Sequence, residues 1–223
     1  IDSLQKIVAI HRKKQNCPRI TVSVLFEYQT TYAAFQVSDL AEEWRQQIDF
    51  RPFNFYEEWA KKLLVKRHYG EGNAKVEYPA LDREPITWES DRYIHFVIIG
   101  MSRMGVALGV EAAYLLHFPN FCRDQQLKSR ITFIDAEADK EMNFFRGRYR
   151  HYFDLSSSYY RYMEDIEKLQ IVPPNRVYGE NVDFLDVEFE FIKGRAETPE
   201  IQQLLTQWAK DPQQELSIAI CLN

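Results

Sequence analysis

Short apolar runs alternate with amphipathic segments along most of the chain. Runs rich in β-branched and apolar residues predict strands at 19–27, 48–51, 94–99, 130–135, 182–192 and 216–223. Helical spacing of apolar positions predicts helices at 55–67, 137–149 and from residue 198 onward, and a loop followed by a helix at 154–169. Strands that alternate with helices favour an α/β fold with a doubly wound, mainly parallel sheet.

The alternation is interrupted once, between residues 69 and 91. This stretch contains Gly70, Gly72, Pro79 and Pro85, which are typical of a loop or linker. We therefore predict a partial βαβα unit at 1–68, a linker at 69–91 and a second α/β domain at 92–223.

The strongest chemical signal lies between the predicted strand at 94–99 and an apolar helix. The connecting segment Gly100-Met-Ser-Arg-Met-Gly105 has the outer glycines of the G-x-G-x-x-G pattern, with Ser102 at the middle glycine. In a Rossmann-like unit such a turn brings backbone N–H groups, at the positive end of the helix, close to a diphosphate. The serine is a departure, but its small side chain can itself donate a hydrogen bond to phosphate.

The next predicted strand ends in Asp135. An acid at this place can accept hydrogen bonds from ribose hydroxyls, although it is expected about 20 residues after the turn. Asp135 comes later because residues 117–129 form an insertion. The alternative role for Asp135 is a cap at the end of the strand.

The turn resembles that of the RCK or Trk-N (KTN) domains, which regulate potassium channels and transporters. In those domains an arginine commonly stands between the second and third glycines, as Arg103 does here. The resemblance implies a cofactor site for NAD(H) or ATP/ADP, with Asp135 on the ribose. The backbone of the turn would surround the diphosphate, and the implied binding residues are Gly100, Met101, Ser102, Arg103, Met104, Gly105 and Asp135.

The segments before residue 65 are similar, more weakly, to the last strands and crossover helix of a preceding RCK unit. The resemblance therefore implies a fragment that spans parts of two tandem RCK-like units. It also implies homo-oligomers formed through these domains, and a linked membrane segment outside the fragment. A first residue other than Met and a final strand with no following helix favour the same interpretation.

The amino-acid composition indicates which binding partners and which cellular compartment to expect. A net charge of -5 argues against general nucleic-acid binding. Three widely separated cysteines fit a reducing compartment better than a disulfide framework. We find no run of about 18 apolar residues, as a transmembrane helix would need, and we expect a cytoplasmic domain.

No other motif in the sequence carries recognisable chemistry. The five histidines show no metal-ligand spacing, and we expect His95, inside a strand, to be packed rather than catalytic. Glu188 and Glu190 lie on one face of a strand that we predict to be half exposed. The basic run at 146–151 is predicted to be a solvated helix face, with contact to an anionic ligand or to a neighbouring subunit as the alternative.

A nucleotide turn without catalytic residues predicts a ligand-sensing regulatory domain that gates a linked potassium channel or transporter. One alternative is an NAD-dependent oxidoreductase, which would also need a proton-transferring residue beside the nicotinamide. A methyltransferase has a similar turn and acid, and a structural interaction domain would carry the turn as a degenerate site.

Overall fold

The computed structural model describes residues 5–7, 9–10, 19–36, 48–64, 67–69, 75–77, 81–82, 84–162, 165–174 and 185–222. The chain forms two compact units, residues 1–59 and 60–223.

The smaller unit has the order strand, helix, strand, helix that the sequence pattern predicts. Its elements are β1 (Ile20–Leu25), α1 (Gln29–Gln36), β2 (Ile48–Phe53) and the start of α2 (Phe55–Leu64). The two strands pair in parallel. Phe35 and Ile48 form a small core against the apolar side chains of the strands. Asn54 caps α2, because its Oδ1 accepts hydrogen bonds from the N–H groups of Tyr56 and Glu57.

Two short strands follow α2, and the sequence pattern did not predict either. They are β3 (Arg67–Tyr69) and β4 (Lys75–Glu77), which pair antiparallel. The second of them lies inside the segment predicted as a linker.

The larger unit contains a six-stranded sheet with helices between its strands. Its strands are β5 (Tyr93–Ile99), β6 (Ser129–Asp135), β7 (Ser158–Tyr162), β8 (Asp165–Val172), β9 (Val187–Lys193) and β10 (Gln214–Ile220). Its helices are α3 (Arg103–Leu115), α4 (Ala138–Arg148), α5 (Arg150–Leu155) and α6 (Pro199–Lys210). Two 3-10 turns, Pro119–Cys122 and Gln125–Leu127, occupy the predicted insertion before β6.

The strand order explains how the sheet relates to a nucleotide-binding fold. The order is β10-β5-β6-β9-β7-β8, and every pair is parallel except β7 with β8. If the β7–β8 hairpin is set aside, the spatial order of the other strands is β9-β6-β5-β10. Numbered along the chain this is 3-2-1-4, the order of the first four strands of a Rossmann sheet. The α/β class and the mainly parallel sheet predicted from the sequence are confirmed, and the sheet is compatible with a Rossmann-like fold.

The two faces of the sheet are covered by different helices. On one face, Gly109 of α3 lies against Phe133 and Ile98, and Phe145 of α4 packs on Phe133. On the other face, α6 places Ile201 and Trp208 over apolar residues of β5, β6 and β9. Helices on both faces are the reason that β5 is buried along its whole length.

Two local predictions were wrong. Residues 154–169 do not form a loop and helix; they contain the end of α5 and the strands β7 and most of β8. The tyrosines of Ser158–Tyr162 favour a strand, and β7 is held by its parallel pairing with β9, which is remote in sequence.

β9 is also not half exposed. It lies between β6 and β7, and residues 187–192 are buried, including both acids of the alternating pattern. Glu188 pairs with Arg130 on β6, and Glu190 pairs with Arg161 on β7. Alternation of apolar and acidic residues is the usual sign of a strand with one wet face. Here the cations that neutralise the acids come from the neighbouring strands.

Candidate functional site

The turn between β5 and α3 requires glycine at both ends. Gly100 has φ 99°, a conformation that residues with a side chain rarely adopt. A Cβ on Gly100 would lie 2.6 Å from the carbonyl oxygen of Cys221, so the chain that follows β10 passes directly against the turn. A Cβ on Gly105 would collide with the carbonyl oxygen of Gly100. The two glycines therefore fix one compact backbone path into the helix.

Ser102, which replaces the middle glycine, is the N-cap of α3. Its backbone is extended and its hydroxyl accepts a hydrogen bond from the N–H of Gly105, at 3.3 Å. The departure from the glycine pattern is thus a helix cap, a role in which serine is favoured. The N–H groups of the first turn of a helix have no preceding carbonyl within the helix, and in α3 the N–H of Gly105 is bonded by the Ser102 hydroxyl instead. The positive end of the helix dipole favours an anion at this position.

Arg103 and Met104 occupy the first turn of α3. Arg103 is exposed and Met104 is half-buried. The side chain of Arg103 therefore lies at the surface beside the start of the helix, where the sequence analysis predicts the phosphates to bind.

The structure brings Asp135 to the glycine turn. Its Oδ2 accepts a hydrogen bond from the N–H of Met101 at 2.7 Å, and its Oδ1 accepts one from the N–H of Glu137 at 2.8 Å. The carboxylate thus links the end of β6 to the turn after β5, in agreement with the capping role that the sequence left open. Each carboxylate oxygen can accept more than one hydrogen bond, so these two bonds do not exhaust the acceptor capacity of Asp135.

A cavity of about 260 Å³ opens at the carboxyl ends of the strands, between Asp135 and the segment after β9. Gly100 and Asp135 line it, together with Ile99, Ile134, Ala136, Gly194, Arg195, Ala196, Glu197 and Leu222. This is the position at which open α/β sheets bind ligands. Of the predicted residues, Met101, Ser102, Arg103, Met104 and Gly105 are in the adjoining turn and not in the cavity wall.

Sequence reasoning missed the segment Gly194-Arg195-Ala196-Glu197. The only available signal was its place immediately after a predicted strand, at the edge where ligands bind in a parallel sheet. Arg195 and Glu197 are both exposed, and they add one positive and one negative side chain to the wall.

The segment after β10 closes the other side of the site. The N–H of Cys221 donates to the carbonyl oxygen of Ile99 at 2.8 Å, which continues the pairing of β10 with β5 past the strand ends. Burial raises the pKa of the Cys221 thiol, so the sulfur is not activated as a nucleophile.

His95 is fully buried, as the sequence position predicts. Burial lowers its pKa to about 4, against the opposing effects of a hydrogen bond to Gln214 and the charge of Glu190. It lies in the middle of the sheet and does not line the cavity.

Two classes of feature do not occur within the part of the chain that the structure describes. None of the described helices has the length and hydropathy needed to cross a membrane. Nor do three or more His, Cys, Asp or Glu residues converge there in an arrangement that could hold a metal ion.

Comparison with known proteins gave no match: no family model, curated protein or solved structure is significantly similar to the chain. The assignment of a function therefore depends on the geometry of the site.

Proposed function

We propose that the larger unit is a cytoplasmic regulatory domain that binds an adenine nucleotide or dinucleotide at the glycine turn. The observation that carries this proposal is the hydrogen bond from Met101 N–H to Asp135. It holds the acid that we propose for the ribose against the turn that we propose for the phosphates, beside one cavity.

The individual contacts follow from the chemistry of the groups. The diphosphate lies against the N-terminal end of α3, where the helix dipole and the N–H groups of the first turn favour negative charge. Arg103 supplies a charge-assisted contact from the surface. Asp135 accepts from a free ribose, which favours NAD(H), ATP or ADP over a nucleotide with a 2′-phosphate.

The regulatory part of the proposal rests on the resemblance of the turn to RCK and Trk-N domains. We propose that the domain forms homo-oligomers and is linked to a potassium channel or transporter. Nucleotide binding would gate this partner by a shift of population, which requires unequal affinity for two arrangements of the domains.

Thermal unfolding with three separate ligands tests the binding site. At a concentration of about 100 times Kd, a ligand stabilises the folded state by about 2.7 kcal/mol. For a domain of this size that corresponds to an increase in Tm of about 5 °C or more. We expect this increase with NADH or ATP; an increase with S-adenosylmethionine alone would indicate a methyltransferase-type site, and no increase with any of them would contradict the proposal.

Light scattering on the same samples tests the regulatory part. We expect an oligomer whose mass or hydrodynamic radius changes when nucleotide is added. A monomer that binds nucleotide without any such change would contradict gating through paired domains, while leaving the binding site intact.

A further inference from the structure

A row of polar side chains crosses the sheet on the face covered by α6. Hydrogen bonds connect the side chains of adjacent strands, one strand to the next. The row consists of Gln214 of β10, His95 of β5, Thr132 of β6, Glu190 of β9 and Arg161 of β7. His95, Thr132 and Glu190 are at most 1% exposed. Neither the glycine turn nor its cavity uses any of these side chains.

The orientation of Gln214 determines which nitrogen of His95 carries hydrogen. The Nε2 of Gln214 donates to Asp211 at 2.8 Å, so its Oε1 faces His95 Nδ1 at 2.7 Å. The opposite orientation would place Oε1 against a carboxylate oxygen. Because Oε1 can only accept, His95 Nδ1 must donate.

The rest of the row is one hydrogen short when His95 is neutral and Glu190 is ionised. Thr132 Oγ1 lies 2.8 Å from His95 Nε2 and 3.0 Å from Glu190 Oε2, and both of these atoms are then acceptors. The threonine hydroxyl has a single hydrogen and can satisfy only one of them. A second proton on His95 removes the conflict, because Nε2–H donates to Thr132 and Thr132 donates to Glu190.

We infer that His95, Thr132 and Glu190 form a proton-binding row, in which protonation of His95 completes a chain of hydrogen bonds across five strands of the sheet. The proton supplies the one hydrogen bond that is missing at Thr132, between β5 and β6 or between β6 and β9. Thr132 is the positioning residue, since it alone connects the imidazole to the carboxylate.

Groups around His95 include some that raise its pKa and some that lower it. The hydrogen bond to Gln214 and the charge of Glu190 favour a positive imidazole, whereas Arg130 and Arg161 oppose it. Two further carboxylates belong to the same group of side chains: Glu188 pairs with Arg130, and Asp211 accepts from Gln214. Two further side chains complete these surroundings: Trp208 of α6, whose ring centroid lies 4.5 Å from that of His95, and Tyr93, whose pKa is raised by burial. Burial is the largest influence and lowers the pKa of His95 to about 4. The hydrogen bonds and the carboxylate of the row raise the pKa of His95 and so act against the effect of burial. Loss of the row would therefore lower this pKa further.

Titration of the His95 ring nitrogens by 15N NMR tests the row in the intact chain. The signals are assigned with His95→Gln, and the variants are Thr132→Val, which is nearly isosteric, and Thr132→Ser, which keeps the hydroxyl. In the wild type we expect the Nδ1–H tautomer at neutral pH and proton uptake at Nε2 in acid. We expect Thr132→Ser to titrate as the wild type does, and the proton dissociation constant of His95 to rise about tenfold in Thr132→Val.

Two results would overturn the inference. One is an Nε2–H tautomer in the wild type at neutral pH, which is decisive even if Thr132→Val does not fold. The other is a His95 titration that is the same in folded Thr132→Val and in the wild type.

Discussion

The glycine turn and the polar row are two specialised regions of one sheet, built by different means. The turn at the carboxyl end of β5 depends on backbone atoms: Gly100 and Gly105 have no side chains, so the chain can bend closely into the start of the helix. The polar row in the middle of the sheet is made by side chains from five strands. A region made by backbone can be recognised in six consecutive residues, whereas one made by side chains becomes visible only when the strands are paired.

The two regions should also respond differently to mutation. In the row, each side chain supplies a hydrogen bond or an opposite charge to a neighbouring polar side chain. Removal of one side chain therefore takes that hydrogen bond or charge away from its neighbour. In the turn, the important atoms are backbone atoms, which a substitution does not remove. A substitution disturbs them only by adding a side chain. The following changes are ordered from the largest expected effect to the smallest.

Glu190→Ala should give the greatest loss of stability. It removes the buried carboxylate to which both Arg161 and Thr132 are bonded, and loss of one member of a buried ion pair costs about 3–5 kcal/mol. Urea unfolding measures this loss. Asp91→Asn, which removes an ion pair whose carboxylate is 83% exposed, is the control and should be nearly neutral. A loss below about 1 kcal/mol for Glu190→Ala would mean that the row does not hold the strands together.

His95→Gln should change the pH dependence of stability. The pKa of His95 is about 4 in the folded protein and about 6.5 in the unfolded chain. Between these values the unfolded chain binds the proton and the folded protein does not. The free energy of unfolding of the wild type therefore falls as the pH is lowered from about 6.5 to 4, by about 3 kcal/mol from this residue.

The variant lacks this contribution, so its free energy of unfolding should depend less on pH in that interval. Denaturant unfolding of both proteins at several pH values gives the comparison. Parallel pH profiles would contradict the assignment of a neutral buried imidazole.

Gly100→Ala should distort the turn at a cost of about 1–3 kcal/mol, since φ 99° is strained for any residue with a Cβ. The added carbon would also press on the carbonyl oxygen of Cys221, so the end of β10 should move with the turn. Hydrogen exchange of the Cys221 amide reports this movement. Unchanged stability together with unchanged exchange would show that the turn is not held by β10.

Gly147→Ala is the smallest change and the matched control for glycine. A Cβ there meets no atom within 4 Å, and the site is exposed in α4. Alanine is favoured over glycine in a helix by about 1 kcal/mol, so the variant should be slightly more stable than the wild type. A destabilised variant would mean that steric reasoning from the glycine environments fails in this chain.

The difference between the two regions also explains how much could be predicted from sequence. The turn, the helix after it and Asp135 were all predicted, because strand, glycines and acid follow one another within one unit. The capping role of Ser102 was not predicted, although serine before an apolar helix is a known signal. The link from Asp135 to Met101 depends on the parallel pairing of β5 with β6 and has no local sign.

The remaining errors have one physical cause, which is pairing between remote segments. β7 lies in the segment that was predicted as a loop followed by a helix, and its conformation is determined by contact with β9. Glu190 was placed on a half-exposed face because its cation, Arg161, is on another strand. Arg195 and Glu197 were missed because only the folded sheet brings them beside Asp135.

Isothermal titration calorimetry of NADH and ATP with three proteins tests the central claim most directly. The proteins are the wild type, Gly105→Val, whose side chain would collide with the carbonyl oxygen of Gly100, and Gly147→Ala. We predict that the wild type and Gly147→Ala bind at least one nucleotide with equal affinity, and that folded Gly105→Val does not bind it. Equal affinity in all three, or no binding by the wild type, would contradict a nucleotide site at the glycine turn.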